Sequence, residues 1–143
     1  MSLIDLVLIT ISALIVYSDV KERKISNRLS LAVLACCLFI AYGNESIELH
    51  ILRGFIVFFV GVIFFSLGIV GAGDVKLFSA YALIIDSQFW LLTLVAITFV
   101  GGFTAIFIFI KSKLLKNSSI RGVPYGLPIV VSSLFFIHLS AIS

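Results

Sequence analysis

Charge is scarce in this sequence. Only 12% of its 143 residues are charged while 62% are hydrophobic, and the mean hydropathy is +1.27. A soluble domain of this length carries about 25% charged residues to cover its surface. Too few are present here to keep such a surface in water, so a lipid bilayer is the expected solvent. Cysteine, histidine and proline are nearly as rare, with two of each. Cys36 and Cys37 are adjacent inside an apolar run, a spacing that makes only a very strained disulfide. Neither has a CxxC or histidine neighbour for zinc, so both read as small packing residues, and no metal site or cofactor is expected. His50 and His138 fall near the ends of apolar runs without a partner motif and read as interfacial. The basic residues lie in short loops with no domain behind them, which excludes nucleic acid as a partner.

What the sequence has in abundance is apolar runs. Six are separated by charge: about Leu3–Tyr17, Leu29–Tyr42, Ile51–Val70, Val75–Ile85, Phe89–Ile110 and Val123–Ile142. A straight span needs about 20 residues, so the second is short and the fourth shorter still. Leu3–Tyr17 carries Asp5 in place of a basic leader and has no small-x-small cleavage site, and it reads as a retained span. No stretch between runs is long enough to bury a core. The expectation is an all-α integral membrane protein of about six transmembrane helices, forming one polytopic domain over residues 1–143.

The loops sort by charge. Lys21, Arg23, Lys24 and Arg28 follow the first run, Lys76 the third, and Lys111, Lys113, Lys116 and Arg121 the fifth. The alternate loops hold Arg53 alone among basic residues, beside Glu45, Glu48 and Asp86. The positive-inside rule then puts the odd loops in the cytoplasm and both termini outside. Gly54, Gly61 and Gly68 recur at heptad spacing, which fits either a close helix contact or chance in a chain with ten glycines. Gly101-Gly102 marks close packing or a local bend.

Two of the seven acidic residues stand apart. Asp5, Glu45, Glu48 and Asp86 lie where water reaches them, whereas Asp19 and Asp74 both fall at the cytoplasmic ends of apolar runs, at similar depth. Carboxylates at such a boundary are functional candidates. Gly71 and Gly73 free the backbone ahead of Asp74, so it can be presented at a cavity as the next helix opens. The plainer alternative is that Asp74 only caps that helix. Two carboxylates within hydrogen-bond reach share one proton near neutral pH. The ionised member can activate water, and the protonated member can polarise a peptide carbonyl. That chemistry needs no serine, histidine or cysteine nucleophile and no metal.

Gly71-Ala72-Gly73-Asp74, continuing into Val75-Lys76-Leu77, resembles the second catalytic motif of the type IV prepilin peptidases, a GxGD family of membrane aspartyl proteases. Asp19-Val20-Lys21 through Ile25-Ser26-Asn27 is similar to their first motif. Val123-Pro124-Tyr125-Gly126-Leu127-Pro128 resembles the proline-glycine segment leading into their last helix. The resemblance implies a bacterial inner-membrane or archaeal endopeptidase, with Asp19 and Asp74 as the catalytic pair. Gly71, Gly73, Lys21, Asn27, Lys76, Pro124 and Gly126 support it. It also implies prepilins and pseudopilins as substrates, cut on the cytoplasmic side just before their hydrophobic helix. Ser26 stands where the family has proline, and the fourth run is short. There is no room for the cysteine-bearing insertion of the methylating members, so the chain looks like the peptidase-only form of tight-adherence (Flp) pilus systems. Two readings compete with this one. A small transporter would use the aspartates as an ion relay, and a non-catalytic assembly subunit would keep them as a structural pair.

Overall fold

A computed structural model describes residues 3–44, 47–114 and 124–142, and its regular structure is helical throughout. The helices are α1 (Leu3–Glu22), α2 (Asn27–Gly43), α3 (Ile51–Ser66), α4 (Ala72–Tyr81), α5 (Trp90–Leu114) and α6 (Gly126–Ser140). Each apolar run forms one helix, with shifted ends. Glu45, Lys116, Arg121 and Val123 lie outside the described residues. Two helices are long and apolar enough to cross a bilayer, over Leu3–Glu22 and Trp90–Lys111. α2, α3 and α6 are shorter apolar helices.

The packing is a ring of four helices with two more outside it. α1 packs on α2, α2 on α4, α4 on α6 and α6 back on α1. No close backbone contact joins α1 to α4 or α2 to α6 among the described residues, so these pairs face each other across the ring. Among the described residues, the close backbone contacts of α3 are with α4 and those of α5 are with α6. These outer helices turn large apolar side chains outward, among them Phe55, Phe59, Ile63, Phe99, Phe103 and Phe107, each more than half exposed. A continuous apolar face of this kind is stable against lipid and not against water. The ring interior holds Ile15, Val33, Cys37, Leu77 and Tyr81, all fully buried. Both cysteines are free and buried in α2.

Two helix ends differ from expectation. α1 continues past Tyr17 to Glu22, which puts Asp19 in its last turn and not in the following loop. α4 starts at Ala72 and stops at Tyr81, reaching only about 15 Å, or about half the hydrocarbon thickness. Ala82 to Ile85 then leave the helix as a buried turn. Irregular backbone at membrane depth is tolerated where protein buries it and supplies its hydrogen bonds. Here the His50 amide donates to the Leu83 carbonyl at 2.7 Å, and the Arg53 guanidinium donates to the Ile85 carbonyl and to Ser87 Oγ. Arg53 also lies over the Trp90 ring, 5.1 Å from its centroid. The basic residue that stood alone outside the odd loops is therefore the cap of this turn.

The glycine stripe separates into two roles. A Cβ on Gly54 would come within 2.5 Å of Leu83 Cδ2, and one on Gly61 within 2.5 Å of Val75 Cγ1. These two let α3 lie directly on α4. Gly68 meets nothing; it has φ +73° and ends α3. Its amide donates to the Phe65 carbonyl and the Ile69 amide to that of Phe64, the paired bonds of a Schellman cap. Gly101 touches Tyr125 and Pro128 where α5 meets α6, and α5 runs unbroken through Gly102.

Candidate active site

Asp19 projects from the last turn of α1 into the ring and is 6% exposed. Its Oδ2 accepts a 2.8 Å hydrogen bond from the backbone amide of Gly126, the first residue of α6. That amide is one of the unpaired donors at a helix start, and the carboxylate satisfies it at the positive end of the helix dipole. Only glycine permits the approach. A Cβ at position 126 would lie 2.7 Å from Oδ2 and 3.1 Å from Cγ of Asp19. Arg23, just past α1, brings an opposite charge near Asp19. It ends the helix at φ 55°, a left-handed conformation more often taken by glycine, with its amide donating to the Asp19 carbonyl at 3.0 Å.

Asp74 is the third residue of α4, and Gly71 occupies the N-cap position. The Gly71 amide donates to Asp74 Oδ2 at 3.2 Å. This is the return half of a capping box, since Gly71 has no side chain to supply the other half. A Cβ on Gly71 would come 2.8 Å from that same oxygen, and one on Gly73 would come 2.8 Å from Ile25 Cβ. The first glycine thus makes room for the carboxylate and the second for the α1–α2 loop. Asp74 does cap its helix, but with one oxygen only.

Asp74 lies ahead of the apolar run that begins at Val75. Burial, and then the charge of Asp19, push its carboxyl up to about 6, while the Gly71 amide pulls the other way. The two carboxylates therefore sit in one electrostatic site, on helices that face each other across the ring. Directly beneath them the ring is filled by apolar side chains: Ile15, one turn from Asp19, and Leu77, one turn from Asp74, are both fully buried. In such a site the protonation of one carboxylate depends on the charge of the other.

The supporting residues fall into two groups. Gly71 and Gly126 are at the carboxylates, while Gly73 faces Ile25 of the α1–α2 loop. Pro124 is buried two residues ahead of Gly126, at the start of α6. Lys76 and Asn27 are brought together, with Nζ donating to Oδ1 at 3.0 Å, but on the far side of α4. Lys76 stands roughly opposite Asp74 around that helix, and Leu83 follows it in the turn. They line a groove of about 700 Å³ between α2, α3 and α4 that does not reach the carboxylates. Lys21 also turns away, its Nζ 3.3 Å from the Tyr17 hydroxyl and 5.4 Å from the ring centroid. Among the described residues, no three His, Cys, Asp or Glu side chains gather where they could hold a metal ion.

Residues 6–106 match the family model described as the type IV leader peptidase family. The chain belongs to that family. No curated protein and no solved structure matches it. A type IV leader peptidase is a hydrolase of prepilin-type precursors, and that general activity, together with the apolar helices, makes this chain a membrane peptidase. The matched range includes Asp19 and the Gly71–Asp74 segment and ends before Pro124 and Gly126. The place of Gly126 rests on its bond to Asp19. Reading the sequence missed Arg23, whose charge was absorbed into a topology signal. It also missed Ser12 and Tyr81, which stand one heptad from Asp19 and Asp74 on the ring side of α1 and α4.

Proposed function

We propose that this type IV leader peptidase is an aspartyl endopeptidase whose catalytic pair is Asp19 and Asp74. The observation that carries the proposal is the placement of two carboxylates on facing helices, each held by a glycine amide through one oxygen, above buried apolar side chains. Asp19 is fixed by α6 and Asp74 by its own helix start. A peptide carbonyl bound between them can be worked on from both sides. The ionised carboxylate takes a proton from water as the water oxygen attacks the carbonyl carbon. The protonated one gives its proton to the carbonyl oxygen, leaving a neutral gem-diol. Collapse returns a proton to the departing amine, breaks the C–N bond and restores the single shared proton. The electrostatic gain comes from groups already aimed at the reacting atoms.

The substrate class follows the family: prepilin and pseudopilin precursors, with the Flp-like group as the finer assignment, since no segment between the apolar runs has room for the insertion. Nine of the ten Lys and Arg residues lie in the odd loops or at the helix ends that flank them, so both termini face outward and the pair faces the cytoplasm of a bacterial inner membrane. All six helices would then cross or re-enter the bilayer. An ion-relay role finds less support, because the ring below the pair is filled by Ile15, Leu77 and Tyr81. The test is cleavage of a prepilin-type substrate by the protein in liposomes. A single cut at the cytoplasmic boundary, lost in Asp19→Asn at unchanged protein level, is expected. Cleavage by that variant at the wild-type rate would refute the assignment.

A further inference from the structure

Among the described residues, one polar contact crosses the buried interior of the ring. Ser12 of α1 and Tyr81 of α4 are both fully buried, and their hydroxyl oxygens are 2.6 Å apart. Ser12 Oγ also lies 2.6 Å from the Leu8 carbonyl of its own helix and donates to it. The Tyr81 hydroxyl is therefore the donor of the cross-ring bond. α1 and α4 make no close backbone contact. Along this line, the long tyrosine side chain bridges the gap between them.

The register of this bridge ties it to the carboxylates. Ser12 precedes Asp19 by seven residues, and Tyr81 follows Asp74 by seven. Seven residues are two helical turns, about 10 Å, and return to nearly the same face. The two helices run in opposite directions through the ring, so both partners of the bridge lie at one depth below both carboxylates. Three layers result: Asp19 with Asp74, Ile15 with Leu77, and Ser12 with Tyr81. Tyr81 is also the last residue of α4, just before the buried turn at Ala82. The far end of this short helix is thereby fixed to α1.

We propose that Tyr81, bonded to Ser12, is a positioning residue that sets the separation of the two carboxylates across the ring. This rests on the aspartyl reading above. A rigid strut two turns below the pair fixes the splay of α1 against α4 where no helix contact does so. Loss of the hydroxyl bond lets the helices drift by a fraction of an ångström at the carboxylates, and small misplacements are costly in catalysis.

The test uses Tyr81→Phe and Ser12→Ala in the full chain in liposomes. In Tyr81→Phe the ring volume is kept and Ser12 keeps its bond to the Leu8 carbonyl, so no buried donor is stranded. Ser12→Ala leaves the buried Tyr81 hydroxyl without its acceptor, so its thermal stability is measured beside its rate. Each variant should lower kcat about tenfold with KM unchanged. The double variant should be no slower than either single one, because both remove the same bond. The pH–rate profile separates positioning from mere stability. Carboxylates that drift apart interact less, so the two limbs of the profile should move toward each other. Wild-type kcat with unmoved limbs in Tyr81→Phe would overturn the inference, as would a uniform loss at every pH. Asp19→Asn assayed in parallel distinguishes the two failures. If it is inactive while Tyr81→Phe behaves as wild type, only the strut falls; if it is active, the aspartyl reading itself falls.

Discussion

Gly126→Ala is a one-carbon change whose effect can be worked out from the site. The added Cβ would sit 2.7 Å from Asp19 Oδ2, and also 3.1 Å from its Cγ and 3.2 Å from its Cβ. Ordinary contact begins near 3.4 Å, so the shortest of these distances must open by 3.4 − 2.7 = 0.7 Å. Asp19 cannot yield by rotating its terminal group alone, because three of its atoms are crowded at once. Either the carboxylate swings out of place or α6 retreats, and both lengthen the 2.8 Å bond from the Gly126 amide. A displacement of about 1 Å can cost about 100-fold in rate, so a shift of this size should lower kcat on the order of 10- to 100-fold. The assay is prepilin cleavage over time at matched membrane levels, with thermal unfolding in detergent as a control. The account expects normal insertion, a near-normal melting temperature and a large loss of rate. A Gly126→Ala protein that cleaves within twofold of wild type would show that the contact between α6 and Asp19 does not govern activity.

Asp74→Asn should stabilise the fold as pH rises. The folded pKa of about 6 lies above the ordinary aspartate value of about 3.9, so ionisation opposes folding. The penalty is nil below the lower value and reaches about 3 kcal/mol above the upper one. Equal melting temperatures for wild type and Asp74→Asn at pH 7.5 would contradict this. Gly61→Ala should cost about 1–3 kcal/mol by overpacking against Val75, whereas Gly102→Ala, with nothing within 4 Å, should be near neutral; equal thermal shifts would refute the packing argument. A cysteine placed at Lys113 should resist an impermeant reagent added outside intact spheroplasts, and labelling there would reverse the assigned topology.

Much of this architecture is legible in the sequence because each element depends on local chemistry. Scarce charge and six apolar runs give six helices, and the GxGD glycines announce a crowded helix start. The glycine stripe on α3 signals a close partner at two of its three positions. Gly68 has the same spacing but a different cause, since a left-handed cap looks like one more stripe residue until the helix end is known. Other features depend on which helices face each other, and periodicity does not carry that. The diagonal placement of α1 and α4 is what makes Ser12 and Tyr81 partners and turns Lys76 and Asn27 away from the carboxylates. Likewise Arg53 reads as a stray outer charge until the short α4 exposes the Leu83 and Ile85 carbonyls that the His50–Arg53 segment must satisfy.

The central claim is that Asp19 and Asp74 act as one unit, and the kinetics of three variants test it most directly. The measurement is kcat/KM for cleavage of one prepilin-type substrate by Asp19→Asn, Asp74→Asn and the double variant, with Asp86→Asn as the control from the far side of the bundle. An amide can neither take the proton from water nor supply one to the carbonyl, so each single change should remove measurable cleavage at normal protein levels. The double variant should be no worse than either, because effects within a catalytic unit do not add. Asp86→Asn should keep near wild-type activity. Substantial cleavage by either single variant, or residual rates that multiply in the double one, would contradict the account.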